Sequence, residues 1–285
     1  MYVICYSGGH SSALCAIEAV RKHGKDKVIL LNNNISSMVE DRDIKRFKEE
    51  VAFYLGLPIT YANHKTWEKT TPIDICVELK AWEYRGNGKK NCTKELKTKP
   101  FMHWVKENDK KKEFTYIYGF DSSEKEQKRA QRRAQIMGID GYKTEFPLIS
   151  WERTIKSTKE IGIEPPMVYK HFVHANCVGC LKAGWQHWYI VFCQRPDLWQ
   201  QAKEAEETIG YSIHLNHGKQ DFLEDREEFF LEMKKSGVEA TERTGQYEFW
   251  KNARRKVKEA KANISYEQLD LFAKHDESVC LECMV

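Results

Sequence analysis

The first dozen residues constrain this chain more than any other stretch. Tyr2 to Tyr6 form a short apolar run that stops at Ser7-Gly8-Gly9, after which Ala13, Leu14, Ala16, Ile17 and Val20 recur at helical spacing to about His23. A strand, a glycine turn and a helix in that order make an anion cradle. Glycine lets the backbone turn sharply and approach a ligand closely. Amides at the head of the following helix are unpaired donors beside the positive end of its dipole. Ser7, Ser11 and Ser12 add hydroxyls, and His10 adds a charge if protonated. With Gly8 and Gly9, these residues are the expected phosphate contacts.

A second apolar run, residues 27–32, follows the helix and ends in Asn32-Asn33-Asn34. Open parallel sheets bind ligands at their carboxyl edge, so Asn33 and Asn34 are expected at the site. Further on, the pattern predicts a helix over 39–55, a strand at 57–61, a helix over 72–83 and a basic loop at 85–90. A strand at 114–119 ending in Gly119, a charged helix over 124–137 and a strand at 144–149 follow. This alternation predicts an α/β fold, a doubly wound and mostly parallel sheet, over residues 1–165. From Pro165-Pro166 onward helical segments take over at 184–209, 222–235, 247–262 and 266–273. Residues 166–285 are therefore expected to form a helical C-terminal subdomain.

The chain has 285 residues, 31% of them charged, and a net charge of +4. No apolar run approaches the roughly 18 residues that span a membrane, and no basic, apolar leader opens the chain. A cytoplasmic protein is expected, with the nine cysteines serving as thiols or metal ligands rather than disulfides. Lys and Arg gather at 89–99, 106–112, 125–133 and 251–261, while 204–232 is acidic. Trp82, Tyr84 and Trp104 beside two of the basic runs suit stacking on a nucleic-acid base.

His174-Ala-Asn-Cys177-Val-Gly-Cys180 is the strongest metal signal, two thiols in the spacing of a zinc or iron-sulfur knuckle. The same pair could instead be a redox dithiol. Candidates for a further ligand are Cys283, Cys280, His187 and Cys193, while Cys5, Cys15 and Cys76 lie on apolar faces and read as core.

Ser7-Gly8-Gly9-His10-Ser11-Ser12, set between strand and helix, resembles the loop of the PP-loop superfamily, the adenine nucleotide alpha hydrolases, and within it the phosphoadenosine phosphosulfate reductase-like branch. The resemblance covers roughly residues 1–200 and implies binding of ATP or another adenine nucleotide, with Mg²⁺. Ser11 stands where the family usually has Asp. Cys92, Lys97 and Pro100 fall where that branch has a cysteine, a basic residue and a proline, which implies Cys92 as a third metal ligand and Lys97 as a phosphate or sulfate contact. Thr93 replaces a second, adjacent cysteine and Leu96 a second basic residue. Gly119 followed by Arg129, Arg132 and Arg133 is similar to the family's strand end with a downstream arginine, here assigned to Arg129, although Asp121 occupies the usual arginine position. Phage- and defence-associated relatives of the branch carry a similar Cys-x-x-Cys before an aromatic helix, which implies an iron-sulfur cluster, with zinc as the alternative. Glu282-Cys283 resembles the mobile nucleophilic tail of sulfonucleotide reductases, but Met284-Val285 replace the rest of that tail.

Three functions follow as expectations. The first is ATP-dependent sulfur transfer, in which an acceptor, a nucleic acid among the candidates, is adenylated and then thiolated through Cys177, Cys180 and Cys92, with Lys97 steadying charge. A sulfur-donor protein or thioredoxin-like reductant would be its partner. The second is a thiol-dependent sulfonucleotide reductase with Cys283 as nucleophile and fourth ligand. The third is a nucleotide-binding sensor without catalysis.

Overall fold

β1 (Tyr2–Cys5) is the middle strand of a five-stranded, all-parallel sheet. Its Val3 and Ile4 are fully buried, as a strand covered on both faces requires. The computed structural model describes residues 1–276 except Asn87 and Asn176, with side chains as far as Ala262. After β1 come α1 (His10–His23), β2 (Val28–Asn32), α2 (Arg42–Leu55) and β3 (Ile59–Tyr61). The chain then runs through α3 (Pro72–Glu78), the single turn α4 (Asn91–Thr93), a π-helical segment Lys94–Thr98 and α5 (Lys99–Asn108) before entering β4 (Thr115–Ile117). α6 (Glu124–Ile139) and β5 (Lys143–Glu145) complete the unit.

Strand order is β3-β2-β1-β4-β5. The chain moves outward from β1 to β3, crosses back and resumes on the other side at β4, so the order reverses next to β1. In an open α/β sheet that switch point is where a crevice forms at the carboxyl edge, and Ser7 to Gly9 stand there. Ile17 of α1 and Phe47 of α2 pack with Ile4, Leu30 and Ile117 on one face. Val105 of α5 and Met137 of α6 pack with Val3, Leu31 and Tyr116 on the other. Helices on both faces are the arrangement of a doubly wound sheet.

Several elements differ from expectation. Residues 91–108, for which the sequence pattern predicts no element, are helical. Pro100 has no amide to give the Leu96 carbonyl, and its ring crowds that turn, which accounts for the wider π spacing just before it. The fifth strand stops at Glu145, and Pro147 opens a short helix, α7 (Pro147–Ser150). The helix expected over 184–209 is two, α8 (Trp185–Gln194) and α9 (Pro196–Ile209), because Pro196 cannot continue a helix but suits the first turn of the next. An antiparallel hairpin, β6 (His214–Asn216) and β7 (Lys219–Asp221), interrupts the helical half. Its two turn residues, His217 and Gly218, have φ of 49° and 79°, the positive pair that a type I′ hairpin needs. α10 (Glu224–Lys235) follows, and α11 (Gln246–Asp276) is one helix where two were expected.

The division expected at residue 165 does not divide the core. Ile35, Val39, Ile73, Cys76, Trp82 and Leu96 from the first half share one cluster with Trp188, Trp199, Phe230 and Phe249 from the second. Among the described residues no helix is long and apolar enough to cross a membrane.

Candidate functional site

The glycine loop sits at the carboxyl end of β1 with Ser7 exposed and Gly8 buried. Gly8 has φ of 81°, and a β-carbon there would lie 2.7 Å from Cγ and Cδ of Lys48. Only glycine fits. Ser12 Oγ donates to the Gly9 carbonyl at 2.8 Å, and Ser7 Oγ donates to Ser12 Oγ at 3.2 Å. The amide of His10, first in α1, donates to the Tyr169 hydroxyl at 3.0 Å. A neutral phenol oxygen thus holds a donor that would otherwise face an anion.

His10 takes part through its backbone. Its Nε2 accepts from the Thr158 amide at 3.2 Å, and burial, helped by the Arg153 charge, lowers its pKa. The expected protonated phosphate contact is therefore replaced by a neutral ring turned toward Thr158. At Gly119 the close approach is made by the protein itself. A β-carbon there would lie 2.9 Å from the Ser11 carbonyl carbon and the Ser12 nitrogen, so this glycine lets the end of β4 pack on the head of α1.

Asn33 and Asn34 tie strand ends together. The Asn33 side chain donates to the Ala62 carbonyl, and the Asn34 amide donates to Asn63 Oδ1 at 2.7 Å. Beneath them the buried Lys48 points its Nζ at Glu40 Oε2 (3.2 Å), Asn34 Oδ1 (3.4 Å) and Asn32 Oδ1 (3.5 Å). Burial lowers the pKa of this lysine, and Glu40 opposes the shift. Lys48 was missed in the sequence, yet it had a signal. It stands inside the apolar stripe of Ile44, Phe47, Val51 and Leu55, where a charge must have a partner.

Cys92, Cys177, Cys180 and Lys97 lie close enough for their charges to act on one another. Thiolate charge at Cys177, Cys180 and Cys92, in that company, raises the pKa of Lys97 against the effect of burial. Lys97 is nevertheless exposed, so its charge stands at the surface beside the thiols. The Cys76 thiol lies against Cys92, and that contact, with the charges of Lys97 and Lys182, lowers the pKa of Cys92 while raising that of Cys76. Cys177 differs. Burial pushes it up to about 11 despite Lys97. Cys76, expected as plain core, is thus both buried and part of the thiol group.

The knuckle itself is clamped from two sides. Gly179 turns with φ of 75°, and the Val178 amide donates to the Val39 carbonyl at 2.8 Å, docking the turn on the β2–α2 connection. His187 Nε2 accepts from the amides of Gly179 (3.2 Å) and Cys180 (3.3 Å), and Nδ1 faces Glu242 Oε1 at 3.1 Å. Burial alone would raise the pKa of Glu242, but bonds from His187 and the Val173 amide outweigh it and lower the value. With both nitrogens engaged, His187 braces the knuckle rather than serving as a ligand. Cys193 packs against the largest core beside Tyr189, while Cys280 and Cys283 lie outside the described residues.

A zinc or iron-sulfur site needs donors converging on one point. Among the described residues no three His, Cys, Asp or Glu side chains are so arranged, and Cys283, the expected fourth ligand, lies outside those residues.

The loop and the thiols are joined by residues 165–180. A β-carbon on Gly9 would lie 3.3 Å from the Tyr169 hydroxyl and 3.7 Å from Ala175 Cβ, two residues before Cys177. Arg129 lies near Lys182 on the same side, and with His174 its charge acts on Asp121. Trp82, expected to stack on a base, is buried with its Nε1 donating to the Tyr211 carbonyl at 2.7 Å. A cavity of about 540 Å³ is lined by Met38, Arg42, Lys170, Phe172 and Arg195, together with Glu40 and Val178. No protein-family model, curated protein or solved structure matches this chain.

Proposed function

We propose that this protein is a PP-loop sulfur transferase that activates its acceptor with ATP before thiolating it. One juxtaposition supports this reading above all others. The head of α1 and the thiols of Cys92, Cys177 and Cys180 are linked by a single strap, which touches Gly9 at Tyr169 and Ala175 and reaches Cys177 two residues later.

In this scheme backbone amides at the head of α1, with the Ser7 and Ser12 hydroxyls, bind the phosphates of ATP and Mg²⁺. An acceptor oxygen attacks the α-phosphorus, the bond to the β-phosphate oxygen breaks and pyrophosphate leaves. Lys97 steadies the developing negative charge. Cys92, whose pKa is lowered, carries a sulfane sulfur as a persulfide delivered by a persulfide donor. The terminal sulfur attacks the activated carbon, and AMP departs with the oxygen. A thiolate of an external dithiol then attacks the Cys92 sulfur; the sulfur–sulfur bond breaks, its electron pair stays on the acceptor as the new thio group, and the second thiol of the dithiol resolves the mixed disulfide and releases Cys92.

Purified protein with ATP, a persulfide donor and trial acceptors should release pyrophosphate and AMP. Cys92→Ser should keep pyrophosphate release while losing the thiolated product. Sulfite from phosphoadenosine phosphosulfate, lost in Cys283→Ser, would replace this reading with the reductase. Tight nucleotide binding without turnover would replace it with the sensor, and no adenine-nucleotide binding by calorimetry would end all three.

A further inference from the structure

The cavity of about 540 Å³ lies where three parts of the chain meet: the connection from β2 into α2, residues 167–172, and the end of α8. Its size suits a small molecule. Buried Val168 and Phe172, with Val178, give it apolar walls, and Met38 and Met167, each more than half exposed, add flexible thioethers on the solvent side. These walls are fixed from outside the cavity. The Phe172 ring rests on that of His187, centroids 4.8 Å apart, and the Val178 amide donates to the Val39 carbonyl at 2.8 Å. Arg195 donates to the Met38 carbonyl at 3.0 Å.

The charges around the cavity are unequally committed. Of its acids, Glu40 pairs with Lys48 at 3.2 Å, and Asp41 caps α2 by accepting from the Asp43 amide at 2.8 Å. Arg195 is held by Asp197 as well as by the Met38 carbonyl. Two cations remain. Arg42 and Lys170 are both exposed, and among the described residues neither side chain has an ion pair or a hydrogen bond. The Lys170 charge acts on Asp43, but Arg46 already holds that carboxylate.

We infer that this cavity binds a small organic anion, a carboxylate or phosphate head on an aromatic or branched apolar body, with the head on Arg42 and Lys170 and the body against Val168, Phe172 and Val178. Both halves of the ligand are required by the lining. A bare ion would leave the apolar walls facing water, and an uncharged ring would leave two cations without the charge-assisted hydrogen bonds they can give. The site takes no part in the sulfur-transfer scheme and stands whether or not that scheme does.

The test uses the full chain without ATP or persulfide. Anilinonaphthalene sulfonate, an aromatic anion that fluoresces in apolar surroundings, is titrated at about 100 mM salt, where loosely steered surface binding is screened. One saturable site per chain is expected. Phenylphosphate and phenylacetate should displace the dye, and their relative strength identifies the preferred head. Inorganic phosphate and benzyl alcohol, each lacking one half of the ligand, should displace it about tenfold more weakly. Arg42→Gln and Lys170→Gln should each weaken dye binding about tenfold, with the thermal unfolding midpoint unchanged. Lys235→Gln, at an exposed lysine of α10, should leave binding as it is. No saturable site, wild-type affinity in both Arg42→Gln and Lys170→Gln, or equal displacement by inorganic phosphate and phenylphosphate would overturn the inference.

Discussion

Cys92 and Cys177 share Lys97 as a neighbour, yet one is pushed down and the other up. The difference is local. Cys92 has a second thiol and a second lysine against it, whereas desolvation dominates at Cys177. A thiol reacts as its thiolate, so iodoacetamide at neutral pH should modify Cys92 about tenfold faster than Cys177. Lys97→Met should reduce that preference by raising the Cys92 pKa, and peptide mass spectrometry at several times reads both. The Cys-x-x-Cys spacing was enough to nominate Cys177 and Cys180, and the family resemblance nominated Cys92 and Lys97. Cys76 could not be nominated, because a cysteine on an apolar helix face carries the same pattern whether or not another thiol packs on it.

Between Pro165 and Cys180 the chain acts as a strap, and its Tyr169 hydroxyl holds the first amide of α1. Under the proposed function, nucleotide phosphate and phenol would compete for one donor. Tyr169→Phe should therefore raise ATP affinity two- to tenfold by about this one neutral hydrogen bond, measured by calorimetry. A pH effect belongs to the β6–β7 hairpin. Burial, assisted by the Lys90 charge, lowers the His214 pKa to about 4 from 6.5, and its buried Nε2 has no hydrogen-bond partner. The folded state then binds fewer protons than the unfolded one between those values. Its contribution is complete above pH 6.5 and is lost as pH falls through 4, up to about 3 kcal/mol. Glu206, raised by burial to about 7, works in the opposite sense. Comparison with His214→Phe isolates the histidine: between pH 7 and pH 4.5 the urea midpoint of the wild type should fall relative to that of the variant, and a difference that stays constant with pH would show that the shift is absent. The hairpin was not foreseen, since strands of three residues give no period to detect, although His217-Gly218 carried its turn chemistry.

Over the whole molecule the core decides what folds with what. Residues 1–165 alone would expose Ile73, Trp82 and Leu96, whose packing partners are α8 to α11. That fragment should remain molten or aggregate by circular dichroism and light scattering, while the full chain unfolds in one cooperative transition.

Periodicity and glycine placement in the sequence were sufficient for the parallel sheet, its order of strands and helices, and the turn at the head of α1. These are local signals, legible because strand, turn and helix each leave their own spacing. What only tertiary structure decided is which distant groups meet: Lys48 under Gly8, Tyr169 on the His10 amide, Cys76 against Cys92, and Lys97 within reach of the charges of Cys92, Cys177 and Cys180. Contacts across many residues depend on how helices cross and pack, and packing leaves no period along a single chain.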